Sequence, residues 1–386
     1  MAWVERRSSA FRVRLRLPDG TVITDSVHEA KPAAQLRAQE IDVELARETF
    51  VDPRDGKISL ADWVDLWAAS HQAGPATWSA YRSHLRLHIL PRLGRLQLVA
   101  IRRHHVKTLA LELRQKLAPR STADVITVLS MVLQEAVEDR RIPFNPCRGV
   151  RVNTGGRPER PHASTEQAAA IAARMRRPID ELVVITAAYT GMRWGELSGL
   201  DRDNVDLQRG TIYVHPEVGA LHEVGGKLYL GPPKTADSVR QVDLPPFLTA
   251  RLEAALGGHD HPLVFPGARG GFQRRSNFNR RAWTPAVAGD PGRGIPPILE
   301  GMHFHDLRHT HKTWLIEDGI PEIAQARRLG HRLGGVRGIY SHVTPAMRQR
   351  LTDALQQRWE ATQPNRPTGD HHDRSTGEAG EAGEAA

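Results

Sequence analysis

Residues 151–163 read RVNTGGRPERPHA, a stretch through which neither a helix nor a strand runs well. Prolines remove backbone donors, paired glycines loosen the chain, and arginines keep it in water. The run divides the 386-residue chain into parts that must each bury their own core. At roughly 150 residues per domain, the length allows two or three.

The part before this linker is itself heterogeneous. Over 57–150 the apolar residues follow a helical period. Leu60, Trp63, Val64 and Trp67 form one stripe, and Tyr81, Leu85 and Ile89 repeat every four residues, with Pro91 expected to end that helix. Ser121 is expected to cap a helix carrying Val125, Val128, Leu129, Val132 and Val137. Arg82, His84, Arg86, Arg102, Arg103 and Lys107 are expected to coat one side of this block, where they suit phosphate contacts. Residues 1–54 obey a different period. Phe11, Val13, Leu15 and Leu17 alternate with Arg12, Arg14 and Arg16, Pro18-Asp19-Gly20 signals a turn, and Thr21 to Val27 makes a return strand. A helix near Pro32 to Glu48 should follow, with Leu36, Ile41 and Leu45 on its buried side. The arginine face is either a solvated hairpin surface or a surface laid on DNA, and the alternation alone leaves both open.

After the linker, residues 164–360 mix helices with strands near 211–214, 227–231 and 239–244. The end of the chain sets two arginines, Arg366 and Arg374, against five carboxylates and has almost no large apolar residue, so 361–386 is expected to be a disordered acidic tail. Net charge is +9, an excess that favours a polyanionic partner. Only seven of the 53 basic residues are lysine, which makes each lysine worth weighing. A single cysteine, Cys147, excludes an internal disulfide and a cysteine-built zinc site. The opening MAWVERRSSAFRVRLRL has no apolar core of signal-peptide type, and no run of about 18 apolar residues occurs, so a soluble cytoplasmic protein is expected.

Four pieces of the last part carry chemistry. Thr190-Gly191-Met192-Arg193 ends an apolar helix at a glycine and opens a new one with an arginine, and Glu196 lies one turn on. Pro233-Lys234-Thr235-Ala236-Asp237-Ser238-Val239-Arg240 places a lysine where the tip of a β-hairpin is expected. His305-Asp306-Leu307-Arg308-His309 puts His305, Arg308 and His309 on one helical face. Leu329-Gly330-His331 is followed, nine residues after the histidine, by Tyr340. Singly, each reads better as an ordinary surface or packing residue.

In this order and spacing the set resembles the tyrosine recombinase (phage integrase) family. Its pattern is an arginine in T-G-x-R-x-x-E, a lysine in K-T-x-x-S-x-R, then H-x-L-R-H, L-G-H and a tyrosine. The resemblance is strong over 165–360, weaker over 57–150, and only of type before that. It implies a multidomain fold: a β-hairpin-plus-helix arm-type DNA-binding domain (1–54), an all-α core-binding domain (57–150), the linker (151–163), and a mixed α+β catalytic domain (164–360). It implies a site-specific recombinase that cleaves and rejoins DNA through a 3′-phosphotyrosine on Tyr340. Arg193 and Arg308 would fork the phosphate oxygens, His305 would take the phenol proton, Lys234 would protonate the leaving 5′-oxygen, His331 would hydrogen-bond the phosphate, and Glu196 would hold Arg193. No cofactor or metal is implied, since two arginines and a lysine supply the positive charge. The partners implied are double-stranded attachment-site DNA, a homotetramer on that DNA, and an excision factor or DNA-bending host protein as a further possibility. The stripe Met347, Leu351, Leu355 and Trp359 fits packing on its own domain, while the resemblance favours docking in a neighbouring protomer. The N-terminal arm points to integration rather than to a Xer-like dimer-resolving enzyme. Two other readings are a catalytically inactive DNA-binding relative and a zincin-like hydrolase built on the cluster His303, His305, His309 and His311, with His305/His309 as its i, i+4 pair, which would leave Arg193, Lys234 and Tyr340 unexplained.

Overall fold

The computed structural model describes residues 1–17, 19–47, 49–52, 54–156, 159–334 and 342–363. Tyr340 and nearly all of the acidic tail lie outside them. The chain divides into two compact units, 1–158 and 159–386.

The first unit begins with a three-stranded antiparallel sheet, β1 (Ala2–Arg7), β2 (Ala10–Arg16) and β3 (Val22–His28), in that order. Two strands were expected. β1 escapes the turn signals because it joins β2 through Ser8 and Ser9, with Ser8 itself at φ 54°. The alternation in β2 holds: Val13 and Leu15 are fully buried, while Arg12 and Arg14 are half-buried and Arg16 is exposed. Helix α1 (Lys31–Ala46) covers the sheet through Ala34, Ala38 and Ile41, not through Leu36, which is 59% exposed. The small alanines let the helix lie close, and their i, i+4, i+7 spacing leaves Leu36 on the far side.

The helical block comprises α2 (Leu60–Ser70), α3 (Pro75–His84), α4 (Leu90–Leu93), α5 (Arg103–Arg114) and α6 (Pro119–Glu138). All four residues of the first stripe are buried, and the Trp63 indole donates to the Val132 carbonyl at 3.0 Å. Two expected boundaries move. Pro91 does not stop the chain; a π-helical turn over Leu85–Ile89 leads into α4 with Pro91 in its first turn. Widening to i→i+5 bonding absorbs the missing proline N–H. Pro119, rather than Ser121, opens α6, since its fixed φ suits the first helical position.

The second unit contains α7 (Thr165–Ala173), α8 (Pro178–Thr190) and α9 (Trp194–Ser198), then strands β4 (Val205–Asp206), β5 (Thr211–Val214), β6 (Ala220–Val224), β7 (Lys227–Gly231) and β8 (Arg240–Asp243). Helices α10 (Pro246–Gly257), α11 (Arg275–Phe278), α12 (Thr284–Ala288), α13 (Asp306–Glu317), α14 (Glu322–Leu329) and α15 (Pro345–Ala361) complete it. β4, β5 and β8 form one sheet, and β6 and β7 form a separate hairpin between β5 and β8. That hairpin turns at Gly225 and Gly226, both at positive φ, so Lys234 lies beyond its base in the link from β7 to β8 rather than at a tip. Helix α8 is the central element, with Leu182 to Thr190 buried throughout. Helix α15 packs on its own unit: Leu351 and Leu355 are buried, and Trp359 stacks on Phe247 at 4.4 Å. Within the single chain the stripe packs in cis. The same four-residue period serves either partner, and here Trp359 meets Tyr189 and Phe247 of its own unit.

Candidate active site

Helix α8 ends at Gly191 in the left-handed conformation, φ 64°, and a Cβ there would meet Leu329 Cδ2 at 2.6 Å and His311 Cδ2 at 2.8 Å. Only glycine lets α8, α13 and α14 converge so closely. Just beyond it, Arg193 is the N-cap of α9. Its backbone N–H donates to Glu196 Oε2 at 3.1 Å, and its Nη1 donates to Glu196 Oε1 and to Ser238 Oγ, both at 2.8 Å. Glu196, 2% exposed, also accepts from Arg240 Nη2 at 2.9 Å. Burial alone would raise its carboxyl; Arg240 and Arg193 overcome that and hold it below the usual carboxylate range. The expected support of Arg193 by Glu196 is thus present in the geometry, with a second arginine on the far oxygen.

Arg308 is 5% exposed. Nη1 donates to the Gly191 carbonyl at 2.6 Å, and Nη2 donates to the Leu329 carbonyl and lies 2.8 Å from His331 Nε2. Among the described residues no carboxylate pairs with it. Burial, then the charges of Arg193 and Arg240, pull its guanidinium down to about 9. Partial desolvation, then the charges of Arg308 and Arg193, likewise hold the His331 imidazole at about 4, so it is neutral near pH 7. His305 caps α13 with its ring 5.7 Å from that of His309. Desolvation, then Arg308 and His309, keep it below its ordinary value, and Arg193 also acts on it. Arg193, His305, Arg308 and His331 therefore share one electrostatic neighbourhood with surplus positive charge. Lys234 is exposed and makes no polar contact among the described residues, so nothing draws it into this group. Tyr340 lies outside the described residues.

Three contributors were not singled out from the sequence. Ser238 and Arg240 lie within the K-T-x-x-S-x-R run, which was the available signal, and Arg328 had none. His311 entered the sequence reading only as part of the histidine cluster of the zincin-like alternative. His311 is fully buried, its Nδ1 2.9 Å from the Ala188 carbonyl and its Nε2 accepting from Arg328 Nε at 2.8 Å. Both ring nitrogens are thus engaged, and among the described residues no three His, Cys, Asp or Glu side chains gather into a metal cage. In the first unit, Arg14 is paired with Glu5 at 2.9 Å, Arg82 lies over the Trp78 ring at 5.8 Å, and Arg103 donates to the carbonyls of Arg148 and Gly149, both at 2.9 Å. Arg86, Arg102 and Lys107 are exposed with side chains free to reach outward.

Residues 164–347 match the phage integrase family. The integrase of Mycobacterium phage L5 is 26% identical over 319 residues, covering 81% of this chain and 84% of that protein. The Tn1549 transposon integrase, solved in complex with transposon right end DNA, shares the fold with a TM-score of 0.61 at 16% identity, over 77% of this chain and 99% of that one. Lambda integrase, solved as a tetramer bound to a Holliday junction, shares it with a TM-score of 0.54 at 17% identity, over 89% of this chain and 98% of that one. This chain carries a phage integrase family domain, of the tyrosine recombinase type, over residues 164–347. It is a DNA strand-transferring enzyme.

Proposed function

We propose that this chain integrates and excises a mobile element at DNA attachment sites, and that Arg193, His305, Arg308 and His331 hold the scissile phosphate. The observation that carries the reading is the Arg308 guanidinium, buried beside Arg193 and His331 with no carboxylate partner among the described residues: a desolvated positive site that an anion would relieve. In that site Tyr340 Oη bonds to phosphorus as the bond from phosphorus to the 5′-oxygen breaks. His305, neutral near pH 7, takes the phenol proton, and Lys234 gives a proton to the leaving oxygen. A 5′-hydroxyl of another strand then reverses the step. Charge that grows on the non-bridging oxygens meets donors already in place, and such preorganised donors are usually the largest catalytic contribution.

We further assign 1–54 as an arm-type DNA-binding domain, 57–150 as the core-type domain and 164–360 as the catalytic domain, working in the cytoplasm. Arg12 and Arg16 of β2, with Arg86, Arg102 and Lys107, are the cations placed to reach phosphates. Lambda integrase forms a tetramer on a Holliday junction, and the same assembly on DNA is proposed here.

The test is covalent capture. Full-length protein incubated with nicked half-site duplexes drawn from DNA flanking the coding sequence should give an SDS-stable adduct. Tyr340→Phe should give none while still retarding the duplex in a gel. An adduct formed by Tyr340→Phe would remove the nucleophile assignment.

A further inference from the structure

Arg240 is sequestered completely, its side chain 0% exposed, so it cannot touch DNA. Its three donor groups are spent on three segments. Nε donates to the Arg328 carbonyl at 2.6 Å, Nη1 to the Ser238 carbonyl at 2.7 Å, and Nη2 to Glu196 Oε2 at 2.9 Å. Each partner lies one step from a residue of the phosphate site. Glu196 binds Arg193. Ser238 Oγ accepts from Arg193 Nη1 and is 2.9 Å from Thr235 Oγ1, the neighbour of Lys234. Arg328 precedes Leu329, whose carbonyl accepts from Arg308, and the Gly330–His331 turn follows.

The packing is equally tight. A Cβ on Gly330, at φ 64°, would lie 2.8 Å from the Asp237 carbonyl oxygen, 3.0 Å from Ser238 Cα and 3.2 Å from Arg240 Nη1. The segment after Lys234 thus rests directly on the backbone that presents His331, and Arg240 fills the space between them. A planar fork holds three acceptors in fixed directions across its width, whereas the three donors of a lysine ammonium rotate about one compact nitrogen on a flexible stem.

We propose that Arg240 is a positioning residue for strand cleavage, locking the Arg193–Glu196 pair, the 235–238 segment and the Gly330–His331 turn into one body. This rests on the reading that Arg193 and His331 hold the scissile phosphate. Arg240→Lys keeps a positive charge beside Glu196 and loses the fork. In the full-length protein it should melt within a few degrees of wild type and bind the nicked half-site duplex with unchanged affinity. Its single-turnover rate of adduct formation at saturating protein should fall about tenfold or more. Because part of the Arg240 effect passes through Arg193, the losses in the double variant Arg193→Lys/Arg240→Lys should combine to clearly less than the product of the two single losses. An Arg240→Lys rate within twofold of wild type, a loss confined to DNA affinity, or losses that multiply in the double variant would each overturn the role. Should Arg240→Lys fail to fold, Arg240→Gln with Glu196→Gln removes both buried charges together and carries the same expected loss of bound-state rate; a wild-type rate there overturns it too. Arg193→Lys cleaving at the wild-type rate would instead overturn the phosphate-site reading, and with it the route assigned to Arg240. Multiplying losses with Arg193→Lys impaired would overturn Arg240 alone.

Discussion

Arg308 and Arg86 carry the same guanidinium in opposite surroundings. Arg308 is buried, its donors fixed by the carbonyls of Gly191 and Leu329 and by His331. Arg86 is exposed on the helical block, with water for its shell. Burying an unpaired charge costs several kcal/mol, and carbonyl dipoles offset only part of that, as the fall of the Arg308 guanidinium to about 9 records. The difference teaches what each position is built for. In a dry site an anion gains strongly from a preset donor, whereas at the surface the same pair is screened and weak. Arg308 of the second unit is held to fix geometry, whereas Arg86 of the first is left exposed at the surface.

The largest effect should separate the two directly. Arg308→Ala should lower the single-turnover rate of adduct formation by more than about a hundredfold, the order of 3 kcal/mol expected for removing one preorganised donor at developing charge. Arg86→Ala should leave that rate at saturating protein unchanged. A fall of less than tenfold for Arg308→Ala would mean that burial here serves packing rather than the reaction.

Much of this contrast is legible in the sequence where the relevant contacts are local. Arg193 and Glu196 sit three apart, so their pairing follows from helical geometry. The stripe Leu60, Trp63, Val64, Trp67 and the alternation in β2 follow from period alone. Other features resist such reading because they arise between distant segments. Arg240 meets Arg328 across 88 residues and Arg328 meets His311 across 17, with no periodicity to announce either. Lys234 is misplaced by sequence reading because Gly225 and Gly226 take the hairpin turn, moving the lysine to the following link. β1 stays hidden behind a turn made by two serines. The α15 stripe is plain, but a stripe cannot name its partner, and Phe247 and Tyr189 lie far from it in the chain.

Buried arginine also sets a pH response that surface arginine does not. His311 faces Arg328 and the Ala188 carbonyl with no solvent exposure, and burial followed by the Arg328 charge holds its imidazole well below the ordinary 6.5. His305 and His331 are shifted the same way. The sign follows from proton uptake: below pH 6.5 the unfolded chain binds protons that the folded chain refuses, so the stabilisation is complete above that pH and is lost as pH falls. The melting temperature should therefore drop between pH 7.5 and 5.5, above the range where carboxylates titrate. His311→Gln should melt lower at pH 7.5 and show a shallower drop. An unchanged slope in His311→Gln would assign the pH response elsewhere.

The smallest effects belong to the first unit, and they sharpen the comparison because its arginines are not all alike. Each phosphate neutralised by an exposed cation adds about 0.9 to the slope of log affinity against log salt. Lys107→Ala and Arg86→Ala should each weaken duplex binding severalfold at low salt and reduce that slope by about 0.9 for the one phosphate no longer neutralised. Arg103 lies among the same cations in sequence but donates to the carbonyls of Arg148 and Gly149, which ties down the loop after α6. Arg103→Ala should therefore lower the melting temperature and leave the salt slope intact. If all three variants shift the slope equally, Arg103 reaches DNA despite its internal bonds; if none does, the cations that meet phosphate lie elsewhere, with Arg12 and Arg16 of β2 the next to change.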